Sequence, residues 1–406
     1  MRRFLVLWLL GVGLLCPALK AQVNCSSTGS SSGKLICLVP NALDPGVTSG
    51  PLIDLFSSIS EEAGTELSSV PLASPASGVI YTNNPTLNVP VPSNETLGPI
   101  LTQRAETIGK HKIYVAATYQ FFRFEDIDGL SMKGLPIFLA TVSPVKAYIP
   151  TNNRLDLTSS QVTAYLTFGL TSAIDVSVAV PILNVHEQLT TSGTEYSVTG
   201  TTVVPFHLNP VLEGATGVGD LVFAAKGTLW KSSHGGGGAF GTEVHVPTGD
   251  AANYLGAGTI GVKPFVSWTF GGRFSPHANF SYQMNGESIL ATNVLGAKGH
   301  LANRLFYSGG ADWRITPWMT LAGDALAQRV FKGPRLEETS VVSTNPGITA
   351  LSLVPATVSY NRIDGSFGAK FKPFSNLIIT ANLLVKLDQG GLRARTVPLG
   401  GLSFTF

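Results

Sequence analysis

Residues 161–182 read QVTAYLTFGLTSAIDVSVAVPI. Val162, Ala164, Leu166, Phe168 and Leu170 fall on one side of an extended chain, and Gln161, Thr163, Tyr165 and Thr167 on the other. After Thr171-Ser172-Ala173 the alternation resumes, with Ile174, Val176, Val178, Val180 and Ile182 set against Asp175 and Ser177. Period-two alternation on both sides of a tight turn is the pattern of an antiparallel hairpin with one apolar face. Each arm has about the length a tilted strand needs to cross a bilayer, roughly 9–11 residues. The open question is what covers the apolar face: a second sheet, or lipid.

The rest of the chain favours lipid. Alternating runs recur at 110–124, 219–230, 239–247, 258–269, 275–285, 303–315, 318–329, 359–372, 377–387 and 396–406, about twelve strands in all. Their connections alternate between long and short. Residues 125–157, 187–214, 247–258, 286–302 and 330–357 are long, while 171–173, 231–238, 271–274, 316–317 and 373–376 are short. Outer-membrane barrels have short periplasmic turns, long outer loops and an even strand number. A sandwich or solenoid would show no such rhythm, and no fixed-period repeat is present. The fold class expected is therefore all-β: a transmembrane antiparallel up-and-down β-barrel of about twelve strands. The tail LGGLSFTF (399–406) fits the last strand, with Phe406 closing the seam and resembling the terminal aromatic signal of barrel assembly.

Composition agrees. Of 406 residues, 44% are hydrophobic and only 13% charged, about half the usual quarter. The mean hydropathy is +0.24, yet no apolar run of helix-spanning length follows residue 21. A net charge of +2 says nothing for a nucleic-acid partner, no dense Lys/Arg cluster is present, and no such partner is expected. The start, MRRFLVLWLLGVGLLCPALKAQ, has a basic Arg2-Arg3, an apolar core and small residues at Ala18 and Ala21. It reads as a signal peptide, residues 1–21. Cys25 and Cys37 remain in the exported chain, where an oxidising compartment favours a disulfide.

The domain division that follows is 1–21 signal peptide, 22–109 N-terminal segment, and 110–406 barrel. Within 22–109, Leu52, Phe56, Ile59, Ala63 and Leu67 recur at helical spacing, followed by a Pro- and Asn-rich stretch. The segment is expected to be a plug folded into the lumen; the alternative is a periplasmic extension. In the barrel, four Trp residues (Trp230, Trp268, Trp313 and Trp318) lie near short turns, as an interfacial girdle predicts. Trp230 and Trp318 fall off the apolar phase. Two long connections, 129–150 and 347–358, are strongly apolar and are expected either to capture a greasy solute or to fold inward.

A charge at mid-bilayer costs roughly 2–4 kcal/mol on the lipid face, so charged strand residues should face the lumen. The candidates are Asp220, Lys226, Glu243, His245, Lys263, His277, Arg304, Asp312, Arg314, Asp324, Arg362, Asp364, Lys370 and Lys386, with Asn279, Gln283, Gln328 and Asn382 on the same phase. Acids and bases nearly balance, so strong charge selection is not indicated.

Three segments carry a resemblance. GVGDLVFAAKGTLW (217–230), GTEVHVPTGD (241–250) and LGAGTIGVKPFVSWTFGGRFSPHANFSYQMNG (255–286) look like the meta-pathway phenol-degradation family. The resemblance implies an outer-membrane transporter of small hydrophobic or aromatic compounds. It also implies as partners the outer-membrane lipid of a Gram-negative-type cell, the barrel-assembly machinery and a small-molecule solute. No cofactor or metal is implied. The rival readings are an open porin for polar solutes and a barrel phospholipase. The latter needs a His-x-Ser arrangement, and His245-Val246-Pro247 and His277-Ala278-Asn279 lack it. An enzyme is not expected.

Overall fold

The computed structural model describes residues 25, 33–43, 50–68, 81–84, 89–92, 96–141, 147–197, 203–232, 235–291, 298–342, 347–374 and 376–406. The expected signal peptide lies outside them.

Twelve strands form the wall. They are β1 (Ile113–Ile127), β2 (Ala147–Gly169), β3 (Ile174–Ser197), β4 (Leu221–Lys231), β5 (Gly236–Val246) and β6 (Gly261–Phe270). The series continues with β7 (Phe274–Asn285), β8 (Asn303–Thr316), β9 (Met319–Val342), β10 (Thr349–Phe371), β11 (Leu377–Lys386) and β12 (Thr396–Thr405). Each pairs antiparallel with its neighbours in sequence, and β12 returns to β1 with Phe404 opposite Val115 and Leu402 opposite Ala117. The sheet is closed, which removes the unpaired edges of an open sheet. At the seam the Phe406 N–H donates to the Ile113 carbonyl at 2.8 Å, and the Ile113 N–H donates back at 3.1 Å.

Burial runs opposite to that of a water-soluble sandwich. On β2, Thr163 and Thr167 are fully buried, whereas Val162 is 44% and Leu166 48% exposed. A polar interior and an apolar exterior are stable only where lipid covers the outside. All four Trp residues are exposed near the short turns. Trp230 falls out of phase because a bulge between Thr228 and Trp230 skips one residue, leaving both Leu229 and Trp230 outside. Trp318 lies in the two-residue turn between β8 and β9.

The long connections differ from expectation in one respect: much of their length is strand. The expected loop 330–357 is the top of a tall β9–β10 hairpin, bent by a register shift between Val330 and Gly333. Likewise 125–157 contains a strand, Leu135–Thr141, that folds back on β2. Alternation continues past the bilayer because these strands have a second apolar face to serve. Met132, Leu135, Ile137, Leu139 and Ile149 of the apolar stretch 129–150 turn inward and are buried. Among its described residues that stretch is largely core. In 347–358 Leu353 is buried while Leu351 and Val354 remain exposed.

Two helices supply the other half of that core: α1 (Leu38–Leu43) and α2 (Gly50–Ser68). Leu55, Phe56, Ile59, Ala63 and Leu67 recur every three or four residues along α2 and join Met132, Leu135, Leu336 and Leu353 in one buried cluster. Each fully buried Leu, Ile or Phe contributes roughly 1.5–3 kcal/mol relative to exposure. Cys25 and Cys37 are disulfide-bonded ahead of α1. The apolar core thus sits inside the loop end of the barrel.

Candidate functional site

Residues 96–108 have no regular secondary structure and cross the interior near the turn end, where Thr107 bonds the carbonyl of Ser172 at 3.0 Å. A chain without a ladder needs outside partners for its backbone groups. The wall supplies them. Lys226 donates to the carbonyls of Arg104 and Glu106 at 3.0 and 2.7 Å, and Lys370 to those of Leu97 and Pro99 at 3.2 and 2.6 Å. Asn279 grips Gln103 from both sides, accepting its N–H at 2.7 Å and donating to its carbonyl at 2.9 Å. Thr269 and Thr228 do the same for Ala105, Thr320 accepts from Leu97, and Asp175 accepts from Ile108. Gly368 completes the fit, since a Cβ there would stand 2.4 Å from Ile100. The result is a strap laced to six strands.

Above the strap lies a chamber of about 170 Å³. Leu101, Thr102 and Gln103 of the strap form its floor. Tyr165, Val222, Phe265, Phe306 and Leu326 give it apolar walls, and Glu243, His245, Lys263, Gln283, Gln328, Arg362 and Asp364 give it polar ones. Gly241 is required beside Phe265, because a Cβ there would lie 2.4 Å from the ring. The charges are matched. Lys263 bonds Glu243 at 3.1 Å and stands 4.8 Å over the Phe306 ring, while Asp364 takes Arg393 at 2.7 Å. Arg362 lies 3.6 Å from Asp364 and pairs with Glu66 of α2.

α2 is tied to the wall on the loop side of the chamber. Arg304 donates to the Thr65 carbonyl at 3.4 Å, adding to the Arg362–Glu66 pair. Of two further acids on this helix, Glu61 is half-buried and Glu62 buried. Burial pushes Glu61 up to about 7, with Arg304 pulling it back. Burial pushes Glu62 well above the carboxylate range, and the neighbouring Asp128 adds to the shift.

The fourteen charged residues predicted for the lumen therefore separate by place. Glu243, His245, Lys263, Arg362 and Asp364 line the chamber. Lys226 and Lys370 hold the strap, and His277 joins Asp324 at 2.5 Å and Asp312 at 3.8 Å beneath it. Those two aspartates take Thr102 and Thr96 of the strap at 3.4 and 3.5 Å. Arg304 meets α2. Three lie elsewhere. Asp220 accepts the N–H groups of Gly249 and Ala257 and so shapes the loop 247–260. Lys386 pairs with Asp126 near the loop end, and Arg314 sits at the turn end beside Arg273. Phe265, Phe306, Tyr165 and Leu326 were not among the candidates, because apolar side chains on an inward phase carry no charge signal.

Residues 148–347 match the family described as "Putative MetA-pathway of phenol degradation", the family that the motifs at 217–286 resemble. No curated protein matches the sequence. Among solved structures, the chain is similar to an outer membrane channel from Pseudomonas putida F1, at 11% identity and a TM-score of 0.46, over 74% of this chain and 98% of that one. It is also similar to the P. putida toluene transporter TodX (10% identity, TM-score 0.33, 73% and 89% covered). The monoaromatic hydrocarbon channel CymD gives 8% identity and a TM-score of 0.30, over 73% and 88%. At such values nothing about solute or mechanism follows from these three.

Proposed function

We propose that this chain, whose residues 148–347 carry the phenol-degradation family's pattern, is an outer-membrane channel for passive uptake of small hydrophobic or aromatic compounds. In this reading the turn end faces the periplasm and residues 22–109 act as a plug. The chamber carries the proposal. It is about 170 Å³, and an engineered apolar cavity of about 150 Å³ accepts benzene. Its walls pair flat apolar surface with hydrogen-bonding groups, and its charges are neutralised by one another, which suits an uncharged ring better than an ion. An open porin for polar solutes would have no use for a strap across its interior and a helix at its loop end. We assign no reaction and no cofactor to the site.

Single-channel conductance in a planar bilayer tests this reading. The full-length exported chain is expected to conduct little, and a chain lacking 22–107 to form a steady pore. Steady, high conductance of the intact chain would instead support the open-porin reading. Uptake of a radiolabelled neutral aromatic by cells with and without the protein supplies the second readout.

A further inference from the structure

The turn end of the barrel is basic. Lys110 and Lys112 precede β1 with His111 between them, Lys231 ends β4, and Arg273 precedes β7. Arg314 lies near the end of β8, and Lys372 follows β10. The segments 109–113, 169–174, 231–236, 270–274, 314–319 and 371–377 contain no aspartate or glutamate. The next acids along the strands, Asp175 and Asp312, are buried inside, where Asp175 accepts the Ile108 N–H. Among the described residues the negative charge at this end is the terminal carboxylate of Phe406, and Lys110, Lys231, Arg273, Arg314 and Lys372 make no ion pair. The whole chain carries only +2, so the charge is concentrated here and the remainder is net negative.

Two of these cations are held side by side. The Arg314 N–H donates to the Arg273 carbonyl at 2.8 Å where β7 meets β8. The Arg273 side chain crosses back, with Nε on the Arg314 carbonyl at 3.0 Å and Nη2 on that of Ile315 at 3.1 Å. Like charges directly opposite on a ladder are destabilising. An anion that both guanidinium groups can reach relieves that repulsion, and their planar fork matches a phosphate.

The depth of the cations points to the source of that phosphate. Lys231 follows the exposed Trp230, Arg273 precedes the exposed Phe274, and Arg314 follows the exposed Trp313. The Lys372 N–H donates to the carbonyl of Trp318 at 2.8 Å. Aromatic belts sit at head-group level, and one strand residue advances only about 3.3 Å, so the cations stand among the head groups. They also surround the barrel. One or two lie before β1 and at each of the β4–β5, β6–β7, β8–β9 and β10–β11 turns, and Lys231 reaches the remaining turn by donating to the Ser172 carbonyl at 3.2 Å. A protein partner would meet one sector of such a ring, whereas lipid meets all of it.

We propose that the turn end is a rim that gathers anionic phospholipid, its cations taking head-group phosphates and Arg273 with Arg314 forming the tightest position. The rim selects the lipid around the barrel and fixes the depth at which it sits. The inference needs the membrane barrel and is independent of what the chamber passes. With the turn end facing the periplasm, as read above, the lipid belongs to the inner leaflet.

The four Trp residues of the exported chain all lie at this rim, so their fluorescence reports on the lipid there. The full exported chain is placed in phosphatidylcholine liposomes containing increasing fractions of a brominated quencher lipid, either phosphatidylglycerol or phosphatidylcholine. A cation near the surface is expected to favour the anionic lipid about fivefold, so half-maximal quenching should need about fivefold less brominated phosphatidylglycerol. Raising salt from about 0.1 M to about 1 M shortens the screening length from about 10 Å to about 3 Å and should remove most of the preference. Arg273→Gln with Arg314→Gln should lower it more than Lys231→Gln with Lys372→Gln. The salt comparison uses the native chain and so decides even if a variant does not fold. Equal quenching by the two lipids in the native chain, or a preference that neither salt nor the arginine pair moves, overturns the inference. Conductance and uptake, which test the channel reading, are measured separately and stand or fall on their own.

Discussion

Lys370 extends inward from β10 and places its Nζ 2.6 Å from the carbonyl oxygen of Pro99 and 3.2 Å from that of Leu97. Lys226 does the same from β4, on the far side of the barrel, for Arg104 and Glu106. Two buried lysines thus hold opposite ends of one strap by its backbone. A lysine spent on carbonyls is a structural clamp, and its charge is unavailable for selecting a passing ion.

Replacing both clamps, Lys226→Met with Lys370→Met, leaves four inward carbonyls to find other partners. Each buried group so stranded costs about 1–3 kcal/mol. The strap should then open more often than the wall unfolds. We expect faster amide exchange confined to residues 96–108 and higher single-channel conductance, with the wall's exchange unchanged. Unchanged conductance alongside a freed strap would mean that the barrier to ions is α2 alone.

Phe306 lies under Lys263 and forms part of the chamber wall. Phe306→Ala enlarges the chamber and removes the ring face against which a solute would stack. Loss of a buried Phe costs about 3–5 kcal/mol in a core, and less here, where the site already borders a void. Isothermal titration with a size series of neutral aromatics should show weaker binding of one-ring members and new binding of two-ring members. A uniform loss across the series would point to collapse of the wall.

The wall was readable from the sequence because its rule is local. Period two with a polar phase fixes which side of each strand faces in, and the turn chemistry at Thr171-Ser172-Ala173 or Gly271-Gly272 fixes where it reverses. The interior was only half readable. Charge marked Lys226 and Lys370 as inward, yet their partners are the backbone of residues about 120 and 270 positions away, a pairing that no local pattern encodes. The chamber's Phe265 and Phe306 look like any lipid-facing aromatic until their phase is known. The apolar stretch 129–150 was ambiguous for the same reason: a run such as Leu135 to Leu139 serves a core or a surface equally well, and α2 decides which.

Leu166 tests the lipid face directly. It is exposed at 48% in the membrane-crossing part of β2, three residues from that strand's turn-side end and one residue from the buried Tyr165. Arginine at mid-bilayer costs roughly 2–4 kcal/mol, so Leu166→Arg should lower the folded fraction of barrel in lipid by one to three orders of magnitude under denaturant. In a soluble sandwich an exposed Leu→Arg change would stay within about 0.5 kcal/mol. Urea titration in liposomes, followed by heat-modifiable migration, distinguishes the two.

The seat of α2 should weaken as pH rises. Burial raises Glu61 from an ordinary 4.5 to about 7 even against the attraction of Arg304, and raises Glu62 well above its ordinary value too, with Asp128 opposing its charge and Arg335 favouring it. A group whose folded pKa lies above its unfolded one binds more protons when folded, so stability falls as pH climbs between the two values. The contribution of Glu61 is complete below about pH 4.5 and is lost as pH rises through about 7. It is on the order of 3 kcal/mol at most, taking about 1.4 kcal/mol for each pH unit. Channel opening should therefore increase from pH 5 to pH 8, opposite to what acid denaturation of a carboxylate-paired seat would give. Glu61→Gln and Glu62→Gln keep the uncharged form at every pH, and each should flatten that rise. Conductance recorded across this range in the three proteins checks the sign; a fall with rising pH in the native chain would show that the two acids are held ionised by partners and do not work against the closed state.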